Sequence, residues 1–132
     1  MREIKFRGKT KNGEWLYGDL LQVANEVFIA PSDGDWFDFI PWSGNNVFHL
    51  PAAKYVVIPD TVGQFTGLYD KNGKEIYFDD IVRDKYGDIG SVIWFSDWSI
   101  RVDWGGGDIH FIDPEWGLEV IGNIHDNPEM LN

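Results

Sequence analysis

Apolar and polar residues alternate along most of this chain with the two-residue period of β-strands. In residues 4–7, aliphatic and aromatic residues alternate with basic ones, and an Asn-Gly pair then supplies a typical hairpin turn. Between positions 99 and 104 the alternation is strict, so Ile100, Val102 and Trp104 should share one buried face. The pattern therefore predicts a mainly β protein.

Turn residues separate the other strand signals along the chain. The predicted strands cover residues 14–23, 26–29, 54–58, 75–78, 81–85, 90–95, 98–104, 108–112 and 118–124. A long insertion rich in proline and aromatic residues covers residues 31–51, with one helical turn predicted at 36–40. A second short helix is predicted at 126–131, where proline occupies the first helical position.

Two stretches of the chain are nearly the same. The first stretch returns after offsets of 59 to 61 residues, so that Phe6, Gly8, Lys11-Asn12-Gly13, Tyr17 and Asp19-Leu20 match Phe65, Gly67, Lys71-Asn72-Gly73, Tyr77 and Asp80-Ile81. Each repeated residue is a turn or strand signal rather than a catalytic group. The repeat predicts one domain over residues 1–132, with an internal pseudo-repeat of 1–60 and 61–132 that shares one core.

Charge restricts the classes of partner. The 132 residues hold 22 acidic and 11 basic side chains, which gives a formal net charge of −11. Such a field repels phosphate backbones, so direct nucleic-acid binding is disfavoured and a protein partner is favoured. The chain has no cysteine and no apolar run long enough to span a bilayer, so neither disulfides nor a membrane location is expected.

The insertion at 31–51 is the predicted binding surface, because long ordered loops in small domains often carry function. Its aromatic and acidic residues alternate closely, and the candidate partner- or ligand-binding set is Trp36, Phe37, Trp42, Asp33 and Asp35. Large aromatic side chains contribute much of the contact area at interfaces. The alternative is that these aromatics cover one open end of a barrel.

A second candidate site lies around the triple glycine at 105–107. Asp103, Asp108 and His110 flank it and could converge at a hairpin end, where carboxylates and an imidazole hold divalent metals. The alternative is that aspartate and glycine here only form the turn. No organic cofactor is predicted.

Patterns typical of enzymes are not found in the sequence. No serine lies in Gly-x-Ser-x-Gly, no cysteine nucleophile exists, and the triple glycine lacks the Lys-Ser/Thr ending of a phosphate-binding loop. The sequence therefore favours a binding role over catalysis.

Residues 61–82, which contain Lys71-Asn72-Gly73 and Asp80-Ile81-Val82, resemble the signature of the YopX family of phage and prophage proteins of Gram-positive bacteria. Residues 2–8 and 119–129 also match the usual start and finish of that family. The resemblance implies a β-barrel of two related, antiparallel, hairpin-rich halves with SH3-like elements, and no established reaction. Asp79 departs from the family, which usually has glycine there.

These observations together predict an uncharacterised phage or prophage protein in the cytoplasm of a bacterial host. It would act as a non-enzymatic binding module that contacts a protein partner through an acidic, aromatic-rich face, and it could form a homo-oligomer. The alternatives are a barrel that binds oligosaccharide or single-stranded nucleic acid through stacked Trp side chains, and a metal-dependent enzyme.

Overall fold

The computed structural model describes residues 4–23, 25–31, 53–95 and 99–131. The protein is mainly β, as the alternating pattern predicts, and its strands form two antiparallel sheets. The chain divides into two compact units, of which the first comprises residues 4–64 and the second begins at residue 65. The division falls four residues after the predicted boundary of the pseudo-repeat.

The first unit is an antiparallel sheet built from successive hairpins. Its strands are β1 (Phe6–Lys9), β2 (Trp15–Val23), β3 (Glu26–Pro31), β4 (Val56–Val57) and the start of β5 (Gly63–Tyr69). They are hydrogen-bonded in the order β4-β3-β2-β1-β5. The hairpin predicted at the first Asn-Gly pair is confirmed by the pairing of β1 with β2.

The close approach of a side chain explains one glycine of this sheet. A Cβ added to Gly8 would lie 2.8 Å from a methyl carbon of Val57, which is itself 2% exposed. The hydroxyl of Thr61 then closes the unit, because it accepts a hydrogen bond from the Lys9 amide at 2.8 Å and donates one to the Ile58 carbonyl at 2.6 Å. The missing side chain of Gly8 and the hydroxyl of Thr61 allow residues 57–61 to lie against β1.

The prediction of a strand at 54–58 is wrong for most of these residues. A 3₁₀ turn occupies Ala53–Tyr55, and only Val56–Val57 pairs with β3. The amide of Ile58 turns to the Lys9 carbonyl at 2.8 Å, and the next residue is a proline that starts a second 3₁₀ turn, Pro59–Thr61. Proline has no amide hydrogen to continue a ladder, so the β-branched sequence ends as a very short strand.

The second unit contains the remaining strands. They are β6 (Glu75–Tyr77), β7 (Asp80–Arg83), β8 (Ile89–Trp94), β9 (Ile100–Asp103), β10 (Ile109–Phe111) and β11 (Glu119–Asn123). β5 and β6 form a hairpin, and the other five strands form a sheet in the order β10-β9-β8-β7-β11. The predicted hairpins from residue 70 onward are therefore confirmed.

One face of the five-stranded sheet carries the core of the second unit. Its centre is a cluster of buried side chains, namely Ile76, Phe78, Val82, Val92, Val102 and Leu118. Val102 is fully buried, and Ile100 and Trp104 pack against the cluster, so the predicted shared face of these three residues is confirmed.

The same five-residue turn occurs three times among the residues that the structure describes. In residues 10–14, 70–74 and 84–88 the first amide donates to the fifth carbonyl and the fourth amide donates to the first carbonyl. The fourth residue is a glycine with φ between 83° and 92° in all three turns. Only glycine adopts this conformation readily, which explains why each turn has it.

The predicted helices and the predicted barrel are the remaining features of the architecture. The C-terminal helix is a 3₁₀ turn, Pro128–Leu131, and a further 3₁₀ turn at Pro114–Trp116 has no signal in the periodicity. The strands of the described ranges form sheets with two end strands each, and a closed barrel with SH3-like halves stays a prediction. The helical turn predicted at 36–40 lies outside the described residues.

Candidate functional site

A groove of about 390 Å³ lies in the second unit and combines aromatic with acidic side chains. We call it the acidic aromatic groove. Three segments line it: the turn between β7 and β8, the hairpin of β9 and β10, and the 3₁₀ turn Pro114–Trp116. The lining residues are Asp84, Tyr86, Asp88, Ile89, Trp104, Asp108, His110 and Trp116. Its volume lies in the range of about 300–1,000 Å³ that is common for ligand sites.

The turn at 84–88 places the most exposed aromatic ring of the groove. Asp84 begins the turn, and its Oδ1 accepts hydrogen bonds from the amides of Tyr86 and Asp88, each at 2.9 Å. Gly87, the fourth residue of the turn, lies in the left-handed region. Where the two related turns have Asn12 and Asn72, this turn has Tyr86, which is 77% exposed.

Two tryptophans pack against each other in the groove. The ring centroids of Trp104 and Trp116 are 5.5 Å apart in an edge-to-face arrangement with an interplanar angle of 74°. Trp116 ends a 3₁₀ turn that Asp113 caps by accepting the Glu115 amide at 2.9 Å. The Trp116 carbonyl also accepts the Lys85 amide at 2.8 Å, which fixes the turn at 84–88 against the 3₁₀ turn.

The hairpin of β9 and β10 brings together two of the three residues predicted to bind metal. Oδ1 of Asp108 and Nε2 of His110 are 2.5 Å apart, and both side chains are more than half exposed. Asp103 lies directly across from Ile109, whereas His110 lies across from Val102. Because neighbouring strand residues point to opposite faces, Asp103 and His110 lie on different sides of the sheet.

Asp103 is the last residue of β9, and its side chain supports the turn that follows. Its Oδ1 accepts the Gly105 amide at 2.9 Å. Within residues 4–23, 25–31, 53–95 and 99–131, no group of three or more His, Asp or Glu side chains is arranged to hold a metal ion. Metal binding by Asp103, Asp108 and His110 stays a prediction.

The charge of the chain is concentrated in its second half. Residues 65–132 hold 14 acidic and five basic side chains, a net charge of −9 out of −11 for the whole chain. Three of these carboxylates line the groove, those of Asp84, Asp88 and Asp108. The groove thus combines an acidic rim with aromatic walls, the composition that the sequence predicts for the insertion.

The predicted binding set Trp36, Phe37, Trp42, Asp33 and Asp35 lies outside the described residues. Asp108 and His110 of the groove are predicted as site residues from the sequence. Tyr86, Trp104 and Trp116 are not predicted as site residues. A signal for the first of them exists, since Asp84-Lys85-Tyr86-Gly87 follows the Asp70-Lys71-Asn72-Gly73 pattern with an aromatic residue at the third position.

A second groove of about 330 Å³ lies in the same unit between the β5–β6 hairpin and the segment after β10. It is more apolar, and its walls include Leu68, Tyr69, Ile76, Ile112 and Leu118. Asp70 forms one side, but its carboxylate is held by backbone amides of the turn and of β11. This groove therefore offers mainly apolar contact.

Comparison with known proteins identifies the lineage of the chain. The profile of the family described as YopX protein matches residues 5–132. The chain belongs to the YopX family. Asp79, where the resemblance in sequence implies glycine, has a φ of 75°, a conformation that aspartate tolerates better than most residues. The Asp79 carboxylate lies 3.3 Å from Nε2 of His125, a partner 46 residues away.

The fold of this YopX chain is also found in a solved structure. The crystal structure of protein EF1440 from Enterococcus faecalis matches with a TM-score of 0.58 and 22% identity, and the match covers 100% of both chains. At this identity the match shows a shared fold and nothing about activity. A search of the curated proteins gives no match. No helix among the described residues is both long and apolar enough to cross a membrane.

Proposed function

We propose that this protein is a non-enzymatic binding module that contacts a protein partner through the acidic aromatic groove. The observation that supports the proposal is the groove itself, where two packed tryptophans and an exposed tyrosine lie among three carboxylates. Rigid aromatic side chains lose little conformational entropy on binding and contribute much of the energy at protein interfaces. A phage or prophage origin and a cytoplasmic location belong to the same proposal.

The insertion remains part of this proposal as a second region of contact. Its sequence repeats the composition of the groove, with aromatic side chains among aspartates, at Trp36, Phe37, Trp42, Asp33 and Asp35. A groove and a sequence segment of similar composition suit one partner with complementary charge. The groove can be tested separately, because its residues lie on the folded second unit.

Affinity capture with matched variants tests the proposal. Tagged full-length protein, the double variant Asp88→Asn/Asp108→Asn and the control Asp60→Asn are expressed in the cells that encode the chain. The double variant removes two charges of the groove without changing side-chain size, and the control removes a charge at an exposed site in the first unit. Captured proteins are quantified by mass spectrometry.

We expect at least one protein to be captured by the wild type and by the control but several-fold less by the double variant. The proposal is contradicted if all three proteins capture the same set in the same amounts. A neutral oligosaccharide that binds wild type and double variant equally would instead support the sugar-binding alternative, because removal of two charges does not alter stacking of a neutral ring.

A further inference from the structure

We infer that the acidic aromatic groove takes the cationic side chains of a basic protein segment, so that its partner docks through exposed arginine or lysine. This inference rests on the proposed function and names the chemistry of the partner at that site. It is carried by the juxtaposition of the Trp104–Trp116 pair and the exposed Tyr86 ring with the carboxylates of Asp88 and Asp108.

The aromatic rings supply the first part of the attraction. The face of an aromatic ring carries negative electrostatic potential, which attracts an ammonium or guanidinium group placed over it. Trp104 and Trp116 meet edge to face, so they present surfaces of different orientation to the groove. Both indoles are partly buried, and charge interactions are stronger where less water surrounds them.

The carboxylates supply the second part. Asp84, Asp88 and Asp108 surround the same space, and the unit around them has a net charge of −9. A cation entering the groove gains both local attraction and the field of the whole unit. A phosphate or a carboxylate of a partner would meet repulsion from the same groups.

The protein already shows this type of contact next to the groove. Nζ of Lys85 lies over the Tyr86 ring, 5.4 Å from its centroid. In the same unit the guanidinium of Arg101 is held between the rings of Phe95 and Phe111, at 4.4 Å and 3.9 Å. Lys85 therefore acts as an internal competitor for one ring of the groove.

A metal ion fits the groove less well than an organic cation. Among the described residues no three carboxylate or imidazole groups converge on a point. Asp84 already accepts two backbone amides, and Asp108 is in contact with His110. A guanidinium or ammonium on a flexible stem needs no fixed coordination geometry and can contact rings and carboxylates together.

Nuclear magnetic resonance titration of the full-length protein tests the inference. The probe is a peptide of alternating glycine and arginine, and the comparison is the same peptide with citrulline, which is neutral and nearly the same shape. We expect the arginine peptide to shift the indole signals of Trp104 and Trp116 in a saturable way, and the citrulline peptide to leave them in place. The Trp15 signal, from the first unit, should not respond.

Four variants localise the effect. Tyr86→Ala should weaken binding of the arginine peptide by about two- to fivefold, the range for an exposed cation–π contact. Asp88→Asn/Asp108→Asn should weaken it further, and Asp60→Asn should leave it unchanged. Lys85→Gln should strengthen binding, because it removes the internal competitor.

The inference is overturned if citrulline and arginine peptides bind alike, or if neither groove variant weakens binding of the arginine peptide. If the arginine peptide fails to bind but partner capture still depends on Asp88 and Asp108, the cationic chemistry is wrong and the proposed function stands. If the peptide binds in the groove but capture is independent of these residues, the cation site stands and the proposed function fails.

Discussion

Asp70 is a buried carboxylate that connects two parts of the second unit. Its Oδ1 accepts the amides of Asn72 and Lys74 at 2.8 Å and 2.9 Å, and its Oδ2 accepts the amide of Val120 in β11 at 3.0 Å. Burial raises the pKa of Asp70, but the three amides and the charge of Lys74 together lower it below the ordinary value. The folded protein therefore prefers the ionised form.

Asp70→Asn should lower the free energy of unfolding by about 1–3 kcal/mol at neutral pH, because an amide side chain cannot accept all three hydrogen bonds equally well. Since the folded pKa is lower than the unfolded one, this stability is present above the ordinary value and is lost as pH falls through the folded pKa. Urea denaturation of both proteins at a series of pH values checks it. A difference that stays constant down to strongly acidic pH would contradict the role of the ionised carboxylate.

Asp79 shows a residue-scale feature that the sequence predicts in part. The resemblance implies glycine at this position, and aspartate adopts a positive φ of 75° there. The contact with His125 could not be predicted, because the two residues are 46 positions apart and meet only when the C-terminal segment folds back. The backbone supports this approach, since the Ile124 amide donates to the Asp79 carbonyl at 3.0 Å.

Asp79→Ala should be less stable than Asp79→Gly by about 1 kcal/mol, because alanine pays the full cost of a left-handed conformation and glycine does not. Both variants lose the contact with His125, so their comparison isolates the backbone. Thermal unfolding of the two variants in parallel measures the difference. Equal stability would mean that the φ of residue 79 carries no strain in the protein.

At the scale of elements, the repeated turn explains both the pseudo-repeat and the groove. The turns at 10–14 and 70–74 close hairpins that the Asn-Gly pairs predict. The turn at 84–88 uses the same hydrogen bonds with tyrosine in place of asparagine. A turn that has asparagine at its third position in two places thus presents an aromatic side chain in the third.

Gly87→Ala should lower the free energy of unfolding by about 1–2 kcal/mol, because residue 87 has a φ of 92° and alanine is strained there. A Cβ at this position meets no atom within 4 Å, so the effect comes from backbone conformation alone. Gly87→Asn should cost less, since asparagine tolerates the left-handed region better. Chemical denaturation of both variants checks the order, and the reverse order would contradict this account of the turn.

The strands could be predicted from sequence far better than the groove. Local alternation and Asn-Gly turns specify hairpins, so most strands appear where the pattern places them. The groove is formed by residues from three segments between positions 84 and 116, and no local pattern shows that the Lys85 amide bonds to the Trp116 carbonyl. The same limitation applies to Asp103, whose side of the sheet depends on its register with β10.

At the scale of the whole molecule, the imbalance of charge opposes the compact state. A net charge of −11 over 132 residues gives self-repulsion, and most of it lies in the second unit. Despite this repulsion, the YopX chain has carboxylates around the aromatic rings of the groove. Such a distribution favours association with a basic partner, which would reduce the repulsion on binding.

Raising the salt concentration from about 10 mM to about 150 mM should therefore increase the free energy of unfolding, because the screening length falls from about 30 Å to about 8 Å. Asp88→Asn/Asp108→Asn should show a smaller increase than the wild type, since two repelling charges are gone. Urea denaturation at each salt concentration measures the change in the free energy of unfolding for the wild type and for the double variant. A stability that falls with salt would mean that attractive ion pairs outweigh the repulsion.

The most direct test of the central claim is site-specific photo-crosslinking in living cells. A photoreactive phenylalanine is placed at Tyr86 in the groove or at Tyr69, which is also exposed but lines the second groove. We expect a crosslinked protein at position 86 that is weak or missing at position 69 and is lost when Asp88→Asn/Asp108→Asn is added. Crosslinks at position 69 alone, or crosslinks at 86 that survive the double substitution, would contradict it.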